Sequence, residues 1–117
     1  YLLLRDGKIA LRQRGKRGLL AGLWEFPHAP ESLDEERAAG PVEGWGLTPL
    51  AWKKKLTAKH IFTHVEWHMT GYLLTVRGEV PGLTWVDATG LEALAVPSAF
   101  AKFREEARRV LEEADHA

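Results

Sequence analysis

Cysteine is absent from this sequence, and that absence removes several chemistries at once. No disulfide, no iron–sulfur ligation and no zinc site of the Cys₄ or Cys₂His₂ kind can be built within the chain. Net charge is missing as well: 16 basic side chains balance 16 acidic ones, which argues against a generic polyanion-binding tail. Long apolar runs are also missing. The longest, counting glycine, is Gly18-Leu19-Leu20-Ala21-Gly22-Leu23-Trp24, far short of the ~20 residues that span a membrane. No basic segment followed by an apolar one opens the chain, so the expectation is a cytoplasmic domain without membrane contact. With 117 residues, one domain covering 1–117 is expected, burying roughly two-thirds of its unfolded surface without staples.

The charge that is present is unevenly spread. Residues 1–17 carry Arg5, Lys8, Arg12, Arg14, Lys16 and Arg17 against Asp6 alone, and Lys53, Lys54, Lys55 and Lys59 follow later without an acid among them. Residues 25–43 are acidic, with Glu25, Glu31, Asp34, Glu35, Glu36 and Glu43 against Arg37. Two basic segments can present one face to a phosphate backbone. Solvated surface is the plainer reading of the same charges.

Tyr1-Leu2-Leu3-Leu4-Arg5 and Lys8-Ile9-Ala10-Leu11-Arg12 flank Asp6-Gly7, a strong signal for a two-residue hairpin turn. With that turn Leu4 opposes Ile9 and Leu2 opposes Leu11, and all four share one face. The chain starts directly in this strand, which reads as a piece of something longer. Gly15, Gly18 and Gly22 precede a short strand, Leu23-Trp24-Glu25-Phe26, that Pro27 ends. Ser32-Leu33-Asp34-Glu35 has the form of a capping box and predicts a short helix ended by Gly40-Pro41. Residues 41–50 have no firm period. From Trp52 to Arg77 the β-rich composition predicts two or more strands, and Thr84-Trp85-Val86 one more. Pro97-Ser98 opens a helix carrying Phe100, Phe103, Ala107, Val110 and Leu111 at helical spacing. The fold class expected is α+β.

Four groups of residues invite a chemical reading. The three glycines match neither a dinucleotide fingerprint nor a P-loop, so they serve chain turning or a close approach to phosphate. His60, His64 and His68 are each four residues apart, ~13 Å along a strand, too far to share one metal ion. In a straight strand Ile61, Thr63, Val65, Trp67 and Met69 share the core face, leaving Phe62 exposed among histidines, where it could stack on a base; a buried Phe62 is the alternative, and a turn within 60–66 would break the alternation. Glu31, Asp34, Glu35 and Glu36 can hold Mg²⁺ if clustered, or simply complement a helix dipole.

Three stretches together resemble the C-terminal domain of the MutY family, adenine DNA glycosylases acting at 8-oxoguanine:adenine mispairs. Gly18-Leu19-Leu20-Ala21-Gly22-Leu23-Trp24-Glu25-Phe26-Pro27 is similar to that domain's hallmark, His60-Ile61-Phe62-Thr63-His64 to its Phe-Ser-His loop, and Leu94-Ala95-Val96-Pro97-Ser98 to the start of its last helix. The resemblance implies a Nudix-like mixed β-sheet packed with helices and closed by a C-terminal helix. It implies a base-excision-repair module that reads the oxidised guanine in double-stranded DNA, with Phe62, Thr63 and His64 as lesion-binding residues. Threonine here replaces the family's usual serine. Excision of the adenine is implied to belong to an N-terminal catalytic domain, with its helix-hairpin-helix and iron–sulfur cluster, that has no counterpart in this chain. The chain alone is then an inactive fragment without catalytic residue, cofactor or metal, monomeric, whose partners are that domain and the damaged duplex. The basic segments nominate Arg14, Lys16, Arg17 and Lys59 for the DNA backbone.

A Nudix hydrolase acting on nucleoside diphosphate derivatives is the competing reading. That chemistry needs the helical Arg-Glu-x-x-Glu-Glu core of the Nudix box. After Phe26-Pro27 the chain reads His28-Ala29-Pro30-Glu31-Ser32-Leu33-Asp34-Glu35-Glu36-Arg37-Ala38-Ala39-Gly40, without that core.

Overall fold

The computed structural model describes residues 1–18 and 20–115; Leu19 of the glycine-rich stretch lies outside the described residues. The first hairpin joins β1 (Leu2–Arg5) and β2 (Lys8–Gln13) in the expected register, Leu4 opposite Ile9. Asp6 and Gly7 both take positive φ, 50° and 74°, the conformation of a turn whose twist matches the flanking strands. Leu2, Leu4, Ile9 and Leu11 all contribute to one hydrophobic cluster, as their shared face demands.

β3 (Trp24–Glu25) and β6 (Thr84–Val86) both pair with β2, while β1 lies parallel to β5 (Glu66–Arg77), whose other neighbour is β4 (Thr48–Ile61). The sheet order is β3-β2-β1-β5-β4, with β6 beside β2, a mixed sheet with a cluster on each face. One holds Leu2, Ile9, Leu11, Leu73, Leu91 and the buried face of α3 (Ala101–Asp115): Phe103, Ala107 and Leu111. The other holds Leu3, Ala10, Tyr72, Leu74 and Val76 against Val42 of α1 (Ala39–Gly44). The C-terminal helix therefore follows its apolar spacing, led in by a 3-10 turn at Ser98–Phe100. Gly71 on β5 makes room for it: a Cβ there would lie 2.5 Å from the Phe103 ring.

Two sequence expectations are corrected. The capping residues 32–35 open no helix. Asp34 Oδ1 accepts the Arg37 N–H at 3.1 Å and closes one turn, but the helix starts at Ala39 and contains Gly40 and Pro41. Proline lacks only an N–H that the first helical turn leaves unbonded, so Gly40-Pro41 begins the helix it was expected to end. A helix that the sequence reading did not name is α2 (Ala88–Ala93), capped by Asp87, whose side chain accepts the Gly90 N–H at 2.8 Å.

β4 is an edge strand, and the lysine run lies along it, a common guard against edge-to-edge pairing. Lys54 reaches Glu106 of α3 at 2.7 Å and Lys55 reaches Glu35 at 3.0 Å. Much of the second basic segment is thereby neutralised within the fold.

Candidate nucleic-acid interface

β4 and β5 form a long hairpin whose register runs to Ile61 opposite Glu66. Residues 62–65 are its tip, closed by the Phe62 N–H donating to the Val65 carbonyl at 2.7 Å. This turn breaks the straight-strand alternation. Ile61 and Val65, on the core face of a straight strand, are 62% and 47% exposed, and Phe62 is half-buried, which is the alternative to its exposure on a straight strand. Its ring packs edge-on against His60 at 4.6 Å and Trp67 at 4.9 Å. Trp67 in turn stacks on the buried Phe100 at 5.8 Å. Phe62 thus anchors the tip to the core, and the next two residues, Thr63 and His64, are exposed at its end.

The glycine-rich loop follows β2. Its two ends are tied together by Arg14 N–H to the Leu23 carbonyl at 2.7 Å and Gly22 N–H to the Gly15 carbonyl at 3.0 Å. Arg14 lies over the Trp67 ring at 5.7 Å and pairs with Glu25 at 2.7 Å. Glu25, buried on β3, also meets Arg12 at 3.2 Å and His28 at 3.4 Å. Burial pushes the His28 imidazole below its ordinary pKa, with Glu25 opposing. The charge of Arg14 is therefore engaged in holding Glu25 and the loop's base, which separates it from Lys16 and Arg17, exposed on the loop itself. Lys59 is exposed on β4, 3.7 Å from Glu66, which also meets His68 at 3.0 Å.

The three stretches singled out by the sequence meet in space. Trp24 donates its N–H to the Ala95 carbonyl at 2.9 Å, and Phe62 connects through Trp67 to Phe100, just beyond Ser98. Sequence reasoning missed Trp67 as the anchor of the loop. The available signal was its aromatic ring just past residues 60–66, where a turn would break the alternation.

The acidic residues disperse. Asp34 pairs with Arg37 and Glu35 with Lys55. A cleft of about 400 Å³ beside the hairpin is walled by Phe26, Trp67, Tyr72, Phe100 and Phe103, and of the four carboxylates only Glu31 reaches it. Among the described residues no three His, Cys, Asp or Glu side chains are placed to hold a metal ion. The donor set does not fit the divalent metal that Nudix hydrolysis uses. Among these residues there is also no helix long and apolar enough to cross a membrane.

Known proteins place this geometry. Residues 1–106 match the NUDIX domain family. The human adenine DNA glycosylase is 31% identical over 81% of the chain, and the rat adenine DNA glycosylase 33% identical over 86%. The chain spans only about a fifth of the length of these two relatives. A Nudix hydrolase from M. smegmatis, RenU, superposes with a TM-score of 0.61 at 17% identity, over 95% of this chain and 81% of its own. The C-terminal domain of mouse MUTYH, solved in complex with human PCNA, does so with 0.58 at 24%, over 97% and 82%. The chain belongs to the NUDIX domain family, as a Nudix-like domain of the MutY C-terminal type.

Proposed function

We propose that this chain is the lesion-reading domain of an adenine DNA glycosylase and recognises 8-oxoguanine opposite adenine in duplex DNA. The observation that carries the reading is the division of labour at the hairpin tip. Phe62 is fixed on Trp67, while Thr63 and His64 stand free of the core at the end of a two-stranded ribbon. A β-ribbon is one of the elements that enters a major groove.

The chemistry of the base assigns the roles. Guanine presents N7 there as an acceptor. The 8-oxo form carries a hydrogen on N7 and a carbonyl at C8, so the N7 role is reversed. A Thr63 hydroxyl near N7 accepts from the lesion and can donate to guanine only by rotating. The backbone N–H of Thr63 or His64 can donate to the C8 carbonyl, and His64 can reach a phosphate. Lys16, Arg17 and Lys59 supply phosphate contacts that position without reading sequence. Arg14, paired with Glu25, braces the loop that carries two of them. Excision of adenine belongs to a separate catalytic domain of the full-length protein, where the iron–sulfur cluster of the MutY family is also expected.

The test is the affinity ratio between 8-oxoguanine:adenine and guanine:adenine duplexes for the full-length protein. Thr63→Ala should lose about 1–3 kcal/mol of that preference, and Thr63→Ser should keep most of it because the acceptor remains. An unchanged ratio in Thr63→Ala, with Phe62→Ala also silent, removes the loop from recognition.

A further inference from the structure

Ile61 and Val65 are among the most exposed large apolar side chains among the described residues, and they bracket the tip that carries Thr63. A single exposed aliphatic residue calls for no explanation. Two of them, each two positions from the same exposed threonine, on a tip whose neighbouring Phe62 is packed inward, make an apolar pair with no covering element of the fold.

The surroundings specify the occupant. Lys59, His60 and His68 lie on the same end of the hairpin, where Lys59 and His68 engage Glu66, its one carboxylate, and Lys16 and Arg17 stand exposed on the loop whose base, Arg14, lies over Trp67. An apolar pair near the exposed lysine and arginine side chains of Lys16, Arg17 and Lys59 suits a polyanion that also offers small apolar groups. Duplex DNA does so in the major groove, where the 5-methyl of thymine is the apolar mark. The reading of Thr63 given above places the tip in that groove, and the present inference rests on it.

We propose that Ile61 and Val65 read the thymine methyl groups of the base pairs flanking the lesion, so that the domain favours 8-oxoguanine set between A·T pairs that present a methyl to them. Ile61 ends β4 and Val65 immediately precedes β5, on opposite arms of the tip. They are therefore placed to meet one neighbour each. Removing a methyl from water is worth about a fourfold change in affinity per flank.

Deoxyuridine provides the experiment, since it differs from thymidine only by that methyl. Affinities of the full-length protein are measured for 8-oxoguanine:adenine duplexes flanked by thymine on either side, and for the same duplexes with deoxyuridine in its place. The wild-type protein should bind the thymine duplexes about fourfold more tightly per flank. Ile61→Ala and Val65→Ala should each abolish the difference at one flank while leaving the 8-oxoguanine-to-guanine ratio intact. A wild-type thymine-to-deoxyuridine ratio of one at both flanks, or a ratio that survives in the double variant, overturns the proposal while the Thr63 reading stands. Loss of lesion preference as well, with Thr63→Ala silent, would overturn both.

Discussion

If Phe62 is an anchor, truncating it must cost stability, and the cost must be shared with Trp67. Phe62 is partly buried, so Phe62→Ala should lose less than the 3–5 kcal/mol of a fully buried aromatic, about 2–3 kcal/mol. Trp67→Ala should cost about 2–3 kcal/mol, because Trp67 also contacts Phe100 and lies under Arg14. The edge-on contact between the two rings, at 4.9 Å, is worth about 0.5–1.5 kcal/mol beyond area. The double variant should therefore be more stable than the sum of the single losses by that amount. Urea unfolding of the four proteins reads the coupling directly, and each kcal/mol also lowers Tm by roughly 4 °C. Phe62→Leu keeps an apolar contact with Trp67 and should recover about half of the loss. A base-stacking Phe62 predicts the opposite pattern: no coupling to Trp67, and a uniform loss of about 1–3 kcal/mol in binding to every duplex. Coupling within error of zero would refute the anchor.

Three further outcomes are expected. Gly71→Ala places a Cβ against the Phe103 ring and should destabilise by about 1–3 kcal/mol, read by urea unfolding, with Phe103→Leu in the same chain relieving part of it. Glu106 is buried, which opposes ionisation, yet hydrogen bonds from Lys54 and Arg109 hold its pKa below the usual 4.5. The unfolded chain therefore takes up this proton first as pH falls, so the contribution of Glu106 is complete above pH 4.5 and is lost as pH falls through the folded-state value; Glu106→Gln should flatten that part of the stability profile measured from pH 7 to about 3. Neutralising Arg17 and Lys59 together should reduce the slope of log K against log salt by about 1.8 and weaken oxidised and normal duplexes alike, whereas a loss confined to oxidised DNA would place these cations on the base.

What the sequence made legible followed from local chemistry. Asp6-Gly7 dictated its own turn and therefore the register of Leu4 against Ile9, and the apolar spacing from Phe100 to Leu111 dictated the face that α3 buries. The motif stretches located the tip at Phe62-Thr63-His64. Alternation failed at that tip because a turn resets which face each residue takes, so Ile61, Phe62 and Val65 all exchanged the environments of a straight strand. Residues 32–44 misled for a related reason. Capping chemistry at Asp34 closes a single turn as readily as it starts a helix, and a proline tolerated in a first turn reads the same as one that ends a helix. The pairing of Arg14 with Glu25 was hidden too, since charge counts along a chain do not reveal which cations a buried carboxylate will engage.

The central claim is that Thr63 and His64, at the hairpin tip, touch the oxidised base. Titrating the ¹⁵N-labelled chain with an 8-oxoguanine:adenine duplex, and separately with its guanine:adenine counterpart, tests it most directly. The amide signals of Thr63 and His64 should shift with the oxidised duplex beyond any change seen with the normal one, while those of Lys16, Arg17 and Lys59 shift equally with both. Identical responses of Thr63 and His64 to the two duplexes, or lesion-specific shifts confined to the cleft walled by Phe26, Tyr72 and Phe103, would contradict it.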